Sequence, residues 1–371
     1  MRFPRRKVSV FFNKTNTMPI FCSDVKKKTI LRYANKLLFV PLRQYLLVIK
    51  TKKRNIIMQK VSAGIDIGGT NTAVGIVDDN AKILAETSFP TSSHSVLEDY
   101  VKTLADTINS LLKKAGDGLE LRGIGVGAPN GNYYNGTIEC APNLPWKGVV
   151  HLADEIKKYF SCKVIVTNDA KAATIGEMVY GGAKGMKNFV MITLGTGLGS
   201  GIVANGQLIY GADGFAGEYG HCIAIENGRV CGCGRRGCLE TYCSATGIKR
   251  TVFELLATYR DESKMRSIPF ETLTSKDIYD FAKQGDQIAL KAFDFTAEIL
   301  GKKLADLATI LSPEAVFLFG GLALAKDLIV EPTKKYMEEN LLPVYRGKIK
   351  VLPSALLGTN IAVLGAAALV H

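Results

Sequence analysis

The chain has 371 residues, 47% hydrophobic and 22% charged, enough to bury the cores of two domains of roughly 100–200 residues each and unlike a disordered or fibrous composition. Its formal net charge of +13 belongs to one segment: residues 1–57 hold 15 Lys+Arg and a single acid, Asp24, while the remainder holds 32 Lys+Arg against 33 Asp+Glu. The globular part is therefore near neutral, and its charge gives no ground for a nucleic-acid-binding role.

Residues 1–57 show no steady helical or strand period. Their one apolar stretch, 37–49, is broken by Pro41 and Arg43 and is shorter than the roughly 20 residues a membrane span needs. No ordered signal-peptide pattern is present. A basic, acid-poor composition suits an organellar transit peptide; the alternative is that translation starts at Met58 and that 1–57 is upstream sequence read through. Either way the segment is expected to stand outside the fold. Of eight cysteines, Cys231, Cys233, Cys238 and Cys243 fall within 13 residues, which is no disulfide framework for a chain this long. A reducing, cytoplasmic location is expected.

From Met58 onward, apolar runs and turn residues predict strands at 61–67, 72–77 and 82–89, with a turn at Gly68-Gly69-Thr70-Asn71 and a hairpin turn at Asp79-Asn80. Helical spacing places Val96, Tyr100, Leu104, Ile108 and Leu111 on one face of a helix over 96–114. A strand at 121–126, a helix at 149–160, a strand at 163–167 and a helix at 170–180 follow. The opening pattern then recurs: Gly64-Ile-Asp-Ile-Gly-Gly-Thr is matched by Met191-Ile-Thr-Leu-Gly-Thr-Gly, and the strand beginning at Gly75 by that beginning at Gly201, 126 residues later. Such a repeat predicts two similar lobes, each opening with a β-meander and a glycine turn, with the ligand in the cleft between them. Helices are predicted at 240–257, 275–283, 287–311, 325–339 and 360–369, and strands at 314–319 and 348–352. Alternating strands and long helices mean an α/β fold.

The adjacent Gly68 and Gly69 allow close backbone approach to phosphate oxygens, Thr70 and Asn71 add polar donors, and Asp66 suits Mg²⁺ or its waters; an ordinary hairpin turn is the plain alternative. Gly195, Thr196 and Gly197 occupy the equivalent place in the second repeat, and Gly320 and Gly321 after a later strand read either as a third close-approach point, for a base or ribose, or as a tight strand-to-helix turn. The P-loop pattern is absent. Asn168-Asp169 ends a strand before a helix, so Asp169 reads either as an N-cap or as a general base for a sugar hydroxyl. The most specific signal is His221-x9-Cys231-x-Cys233-x4-Cys238. Three thiolates and an imidazole suit a closed, tetrahedral, structural zinc site. Zinc on one ring nitrogen of His221 would leave the other as an oriented N–H donor for a sugar hydroxyl, with Glu218 and Glu240 nearby.

Taken together, Leu194-Gly-Thr-Gly-Leu-Gly-Ser-Gly201, Gly217-Glu-Tyr-Gly-His221, Cys231-Gly-Cys-Gly-Arg-Arg-Gly-Cys-Leu-Glu240, Asp66-Ile-Gly-Gly-Thr, Asn168-Asp169 and Leu357-Gly-Thr-Asn360 resemble the ROK family of repressors and sugar kinases, over about residues 61–369. The resemblance is nearest to ROK-type glucokinases. It implies an actin-like, two-lobed fold: a small lobe at 58–169, completed by 355–371, and a large lobe at 170–354. It implies ATP-dependent phosphorylation of a hexose, glucose first, at the 6-hydroxyl. Asp169 would be the general base. Asn168, Glu218, His221 and Glu240 would hold the other hydroxyls, with Asn143 and Asn130; the segment Gly127-Ala-Pro-Asn-Gly131 lacks the Pro-Gly pair common there in the family. ATP with Mg²⁺ and a structural Zn²⁺ are the expected cofactors, a homodimer or homotetramer the expected assembly, and neither nucleic acid nor membrane an expected partner. The alternatives are an N-acetylhexosamine kinase, for which the same residues serve, a sugar-responsive repressor of the same family, and a catalytically idle sugar-binding scaffold.

Overall fold

Strand Gln59–Ile67 (β1) pairs antiparallel with Asn71–Asp78 (β2), which pairs antiparallel with Ile83–Pro90 (β3). On its other side β1 pairs parallel with Leu119–Gly127 (β4), and β4 parallel with Lys163–Thr167 (β8). The order β3-β2-β1-β4-β8 makes one five-stranded sheet. In a computed structural model, which describes residues 58–357 and 360–371, the second half of the chain repeats this arrangement. Phe189–Leu194 (β9) and Leu198–Ala204 (β10) form the antiparallel pair, Gln207–Leu208 (β11) extends it, and Ala315–Phe319 (β12) and Lys350–Pro353 (β13) add in parallel, giving β11-β10-β9-β12-β13. The 126-residue sequence repeat is thus a repeat of sheet topology. The basic segment 1–57, and Gly358-Thr359 of the C-terminal motif, lie outside the described residues.

Helix Leu97–Ala115 covers the first sheet with the face the spacing marks: Tyr100, Leu104, Ile108 and Leu111 are buried, whereas Val96 is an exposed N-cap. Tyr100 is a polar group in the core and is satisfied there, its hydroxyl 2.9 Å from Thr72 Oγ1. The second sheet is backed by the 25-residue helix Gln287–Leu311 and by Ala245–Thr258, Ser275–Lys283 and Lys326–Asn340. Between the sheets lies the C-terminal helix Ile361–Ala368. Here glycine is required by space: a Cβ on Gly64 of β1 would sit 2.0 Å from Val363 O, and one on Gly125 of β4 would sit 1.8 Å from Ala366 O. The same helix crosses helix Asp169–Tyr180 so closely that a Cβ on Gly365 would lie 2.4 Å from Ala172 O.

Two expected helices differ. The one expected over 149–160 is a short strand, Val149–Val150 (β7), and then only Leu152–Lys157. Val149–Val150 is taken into a small sheet with Gly131–Asn132 (β5) and Thr137–Glu139 (β6), in which Ile138 faces Val150. The helix expected from 240 starts at Ala245, because Ser244 is its N-cap and accepts from Gly247 N; Leu239–Thr241 is a separate 3₁₀ turn. Among the described residues no helix is long and apolar enough to cross a membrane.

Candidate active site

Register places the key carboxylates. Asp66 of β1 lies beside Gly127 of β4, and Gly127 beside Thr167 of β8. Three strand ends are therefore level, and Asp169, two residues past Thr167, emerges next to Asp66. In the second sheet, Thr193 of β9 lies beside Phe319 of β12, so the turns at Gly195 and Gly320 emerge together; a Cβ on Gly320 would touch Leu194 O at 2.5 Å. Both sets of strand ends open on one cleft of about 690 Å³, the usual ligand position in parallel α/β sheets.

The N-cap of helix Asp169–Tyr180 is Asn168, whose Oδ1 accepts from Ala170 N at 2.9 Å and Lys171 N at 3.4 Å. Asp169 is therefore not needed as the cap. Its carboxylate accepts a bond from Ala170 N at 2.8 Å and still opens on the cleft. Desolvation by the surrounding walls raises its pKa, against the pull of the Ala170 N–H and Asn168. Asp66 is pushed up to about 6, first by desolvation and then by the negative charge of Asp169. Two like charges facing one cleft hold their protons more tightly, or invite a cation.

On the opposite wall, Glu218 precedes the 3₁₀ turn Tyr219–His221 and His221 ends it. Glu218 is reached by solvent through the cleft, yet desolvation still raises it, offset by Lys171 and then His221. Backbone pairing of Leu239 N with Cys222 O, at 2.9 Å, draws Cys238 towards His221. Gly237, with φ +79°, takes a place where a Cβ would lie 1.8 Å from Ile225 O, and closes the loop that carries Cys231 and Cys233. The ligand atoms of His221, Cys231, Cys233 and Cys238 lie within 4.8 Å of one another. Cys233 and Cys238 Sγ are 3.7 Å apart, as are Cys231 Sγ and His221 Nδ1. Tetrahedral zinc with bonds of about 2.0–2.3 Å sets its ligand atoms roughly 3.3–3.8 Å apart, so the donor set fits zinc. Glu240 adjoins this cluster: its Oε1 accepts from Cys231 Sγ at 2.9 Å.

Residues 62–371 match the ROK family. The chain belongs to the ROK family. A glucokinase of Thermotoga maritima is 35% identical over 310 residues, 83% of this chain and 96% of that one. A glucokinase of Halalkalibacterium halodurans is 37% identical over 289 residues, 76% of this chain and 86% of that one. The crystal structure of a Streptomyces griseus ROK glucokinase with glucose and AMPPNP matches with a TM-score of 0.69 and 32% identity, covering 83% of this chain and 98% of that one. The fold is that of the actin-like sugar kinases, α/β with a ligand cleft.

Set against that ROK fold, the expected sugar-side residues Asn130, Asn143, Asn168, Glu218, His221 and Glu240 all line the cleft with Asp169. So do Asp66, Gly195, Thr196, Gly197 and Gly320 from the expected phosphate side. Gly68, Gly69, Thr70, Asn71 and Gly321 are not among the lining residues. The 68–71 turn instead abuts the 143 segment: a Cβ on Gly69 would lie 2.7 Å from Asn143 O. That segment is anchored by Trp146, whose indole N–H donates to His94 O at 3.1 Å. Sequence reasoning missed Thr193, Ser244, Thr246 and Arg250, which also line the cleft. Ser244 and Thr246 sit at the start of helix Ala245–Thr258, and the misplaced helix start concealed them.

Proposed function

We propose that the chain transfers the γ-phosphoryl group of ATP to the 6-hydroxyl of a hexose, glucose first, with Asp169 as general base. The observation that carries this is the position of Asp169: on the cleft, beside Asp66, with the helix cap already supplied by Asn168. The chain is an ATP-dependent sugar kinase of the hexokinase type. Phosphoryl transfer asks mainly for positioning and charge stabilisation. The Gly195-Thr196-Gly197 turn and Gly320 would take the nucleotide side. Asp66 would orient the Mg²⁺ that arrives with ATP. Asn130, Asn143, Asn168, Glu218, His221 and Glu240 would hold the sugar hydroxyls so that the 6-hydroxyl meets Asp169, which accepts its proton. Gly68, Gly69, Thr70, Asn71 and Gly321 would reach the phosphates or the base only with the lobes drawn together, which would also exclude water as a competing acceptor.

His221, Cys231, Cys233 and Cys238 would hold a structural zinc. All four positions of a tetrahedral site are filled by protein, so the ion would supply rigidity and no reaction step. With Nδ1 turned to the thiols, Nε2 of His221 is left to donate to a sugar hydroxyl. The test is ADP release from ATP over a panel of glucose, mannose, N-acetylglucosamine and N-acetylmannosamine. The expected result is turnover with the highest kcat/KM on glucose. Release of ADP with none of them overturns the reading at its base, whereas preference for an N-acetylhexosamine overturns only the choice of sugar.

A further inference from the structure

Lys171 is buried to 1% exposure, and a charged amine is costly to bury unless it is paired. Its Nζ donates to Gly214 O at 2.7 Å and lies 5.9 Å from the centre of the Tyr210 ring. The carboxylates it faces are Glu218 and Asp213, which oppose the lowering of its pKa by burial. Gly214 belongs to the loop that leads from β11 into Glu218 and His221. Two more side chains hold the same loop, and both come from the small β5–β7 sheet region. Asn132, 1% exposed, donates from Nδ2 to Asp213 O at 2.9 Å, and Tyr134 Oη donates to Gly211 O at 2.8 Å. The fit is tight. Gly214 has φ +93°, and a Cβ there would lie 2.7 Å from Asn132 Oδ1. Asn132 is itself fixed, since its Nδ2 also donates to Glu139 Oε1 at 3.0 Å and its Oδ1 accepts from Tyr134 N at 2.9 Å.

Three carbonyls of one short loop, at 211, 213 and 214, are thus each capped by a side chain from elsewhere in the chain. None of the three capping residues lines the cleft. A loop with this many glycines has no rigidity of its own, and the two side chains at its end need a fixed position to meet a sugar. We infer that Lys171, with Asn132 and Tyr134, clamps the 211–217 loop and so sets the position of Glu218 and His221, making these three the positioning residues of the sugar site. Lys171 contributes most: an ammonium hydrogen bond is stronger than a neutral one, and its charge also draws Glu218 towards it. The inference rests on Glu218 and His221 being sugar ligands, as proposed above.

The test compares Lys171→Met, which keeps the length and loses the charge, and Tyr134→Phe, which removes one hydroxyl from a ring already 56% exposed. Sugar KM, ATP KM and kcat are measured for each, alone and combined with Glu218→Gln. Lys171→Met is expected to raise the sugar KM at least about tenfold while the ATP KM stays within about twofold. Tyr134→Phe is expected to raise the sugar KM by about two- to fivefold. In the Glu218→Gln background, Lys171→Met should add much less than it does alone, because the two share one effect. A sugar KM unchanged in both variants, an equal rise in sugar and ATP KM, or full additivity with Glu218→Gln overturns the inference. If Lys171→Met does not fold, Tyr134→Phe decides by the same criteria. Failure of the wild-type chain to phosphorylate any hexose would instead count against the proposed function.

Discussion

Replacing Asp169 by Asn isolates its chemistry from its structure. The helix cap is Asn168, and the bond Asp169 accepts from Ala170 N at 2.8 Å can be kept by the amide oxygen. The substitution also removes a negative charge that Asp66 feels, so stability should change by less than about 1 kcal/mol, as for surface changes that break no bond. Loss of a positioned general base costs about 10²–10⁴ in rate, or roughly 2.7–5.4 kcal/mol of barrier. ADP release at saturating sugar and ATP measures kcat, and calorimetric titration with sugar measures binding. The expected outcome is a fall in kcat of at least a hundredfold, with sugar affinity within about threefold of the parent. A kcat within about threefold of wild type would refute the role.

The Asp66 carboxyl should titrate near pH 6 in the free protein, and its midpoint should fall in Asp169→Asn, though not to the ordinary 3.8, because desolvation remains; NMR of the labelled carboxyl reads this, and an unmoved midpoint would disprove the pairing. Since its folded pKa stands above the unfolded value, the native state holds that proton more tightly, so Asp66 adds stability at low pH that is lost as pH rises from about 4 through about 6. Urea midpoints across that window should drop, and the drop should shrink in Asp66→Asn. Chelation or Cys233→Ser should release about one zinc per chain and weaken sugar binding, because the proposed function assigns His221 to both the ion and the sugar; metal analysis with sugar calorimetry checks it, and intact affinity after zinc loss would break the link. Gly125→Ala places a methyl 1.8 Å from Ala366 O and should destabilise by about 1–3 kcal/mol or more, while an unchanged urea midpoint would show that the C-terminal helix is not seated on β4.

Periodic segments were legible because their burial is one-sided and long. Ser275–Lys283 and Gln287–Leu311 occur over the predicted residues; the first is opened by the Thr274–Asp277 capping box, and Asp286 caps the second. The paired glycine turns revealed the repeat because strand, turn and strand are each encoded within a few residues. The β5–β7 sheet was not legible. Its strands are two or three residues long, too short for a period of two to register, and Val149 with Val150 reads equally well as the start of a helix. Lys171 was missed for a different reason. A lysine in the first turn of a helix reads as solvent-facing, and only the 211–217 loop folding over it makes it a core residue. The cap at Asn168 rather than Asp169 was likewise a choice between two good capping residues that the sequence alone leaves open.

Glu240 shows why the zinc loop and the glycine turn form one unit. Its Oε1 contacts Cys231 Sγ at 2.9 Å, its Oε2 accepts weakly from Leu198 N at 3.5 Å, and a Cβ on Gly197 would lie 2.7 Å from that same Oε2. A single carboxylate thus touches the loop of Cys231 and the glycine turn while lining the cleft. The absence of a side chain at Gly197 is required by this contact as much as by any approach of phosphate. Moving the thiol loop would move Glu240, and moving Glu240 would disturb the turn at 195–197. The loop of the cysteines and the 195–197 turn are thus neighbours through Glu240, so the wall proposed for the sugar and the turn proposed for the nucleotide share one side chain, and phosphoryl transfer depends on how the two substrates are positioned.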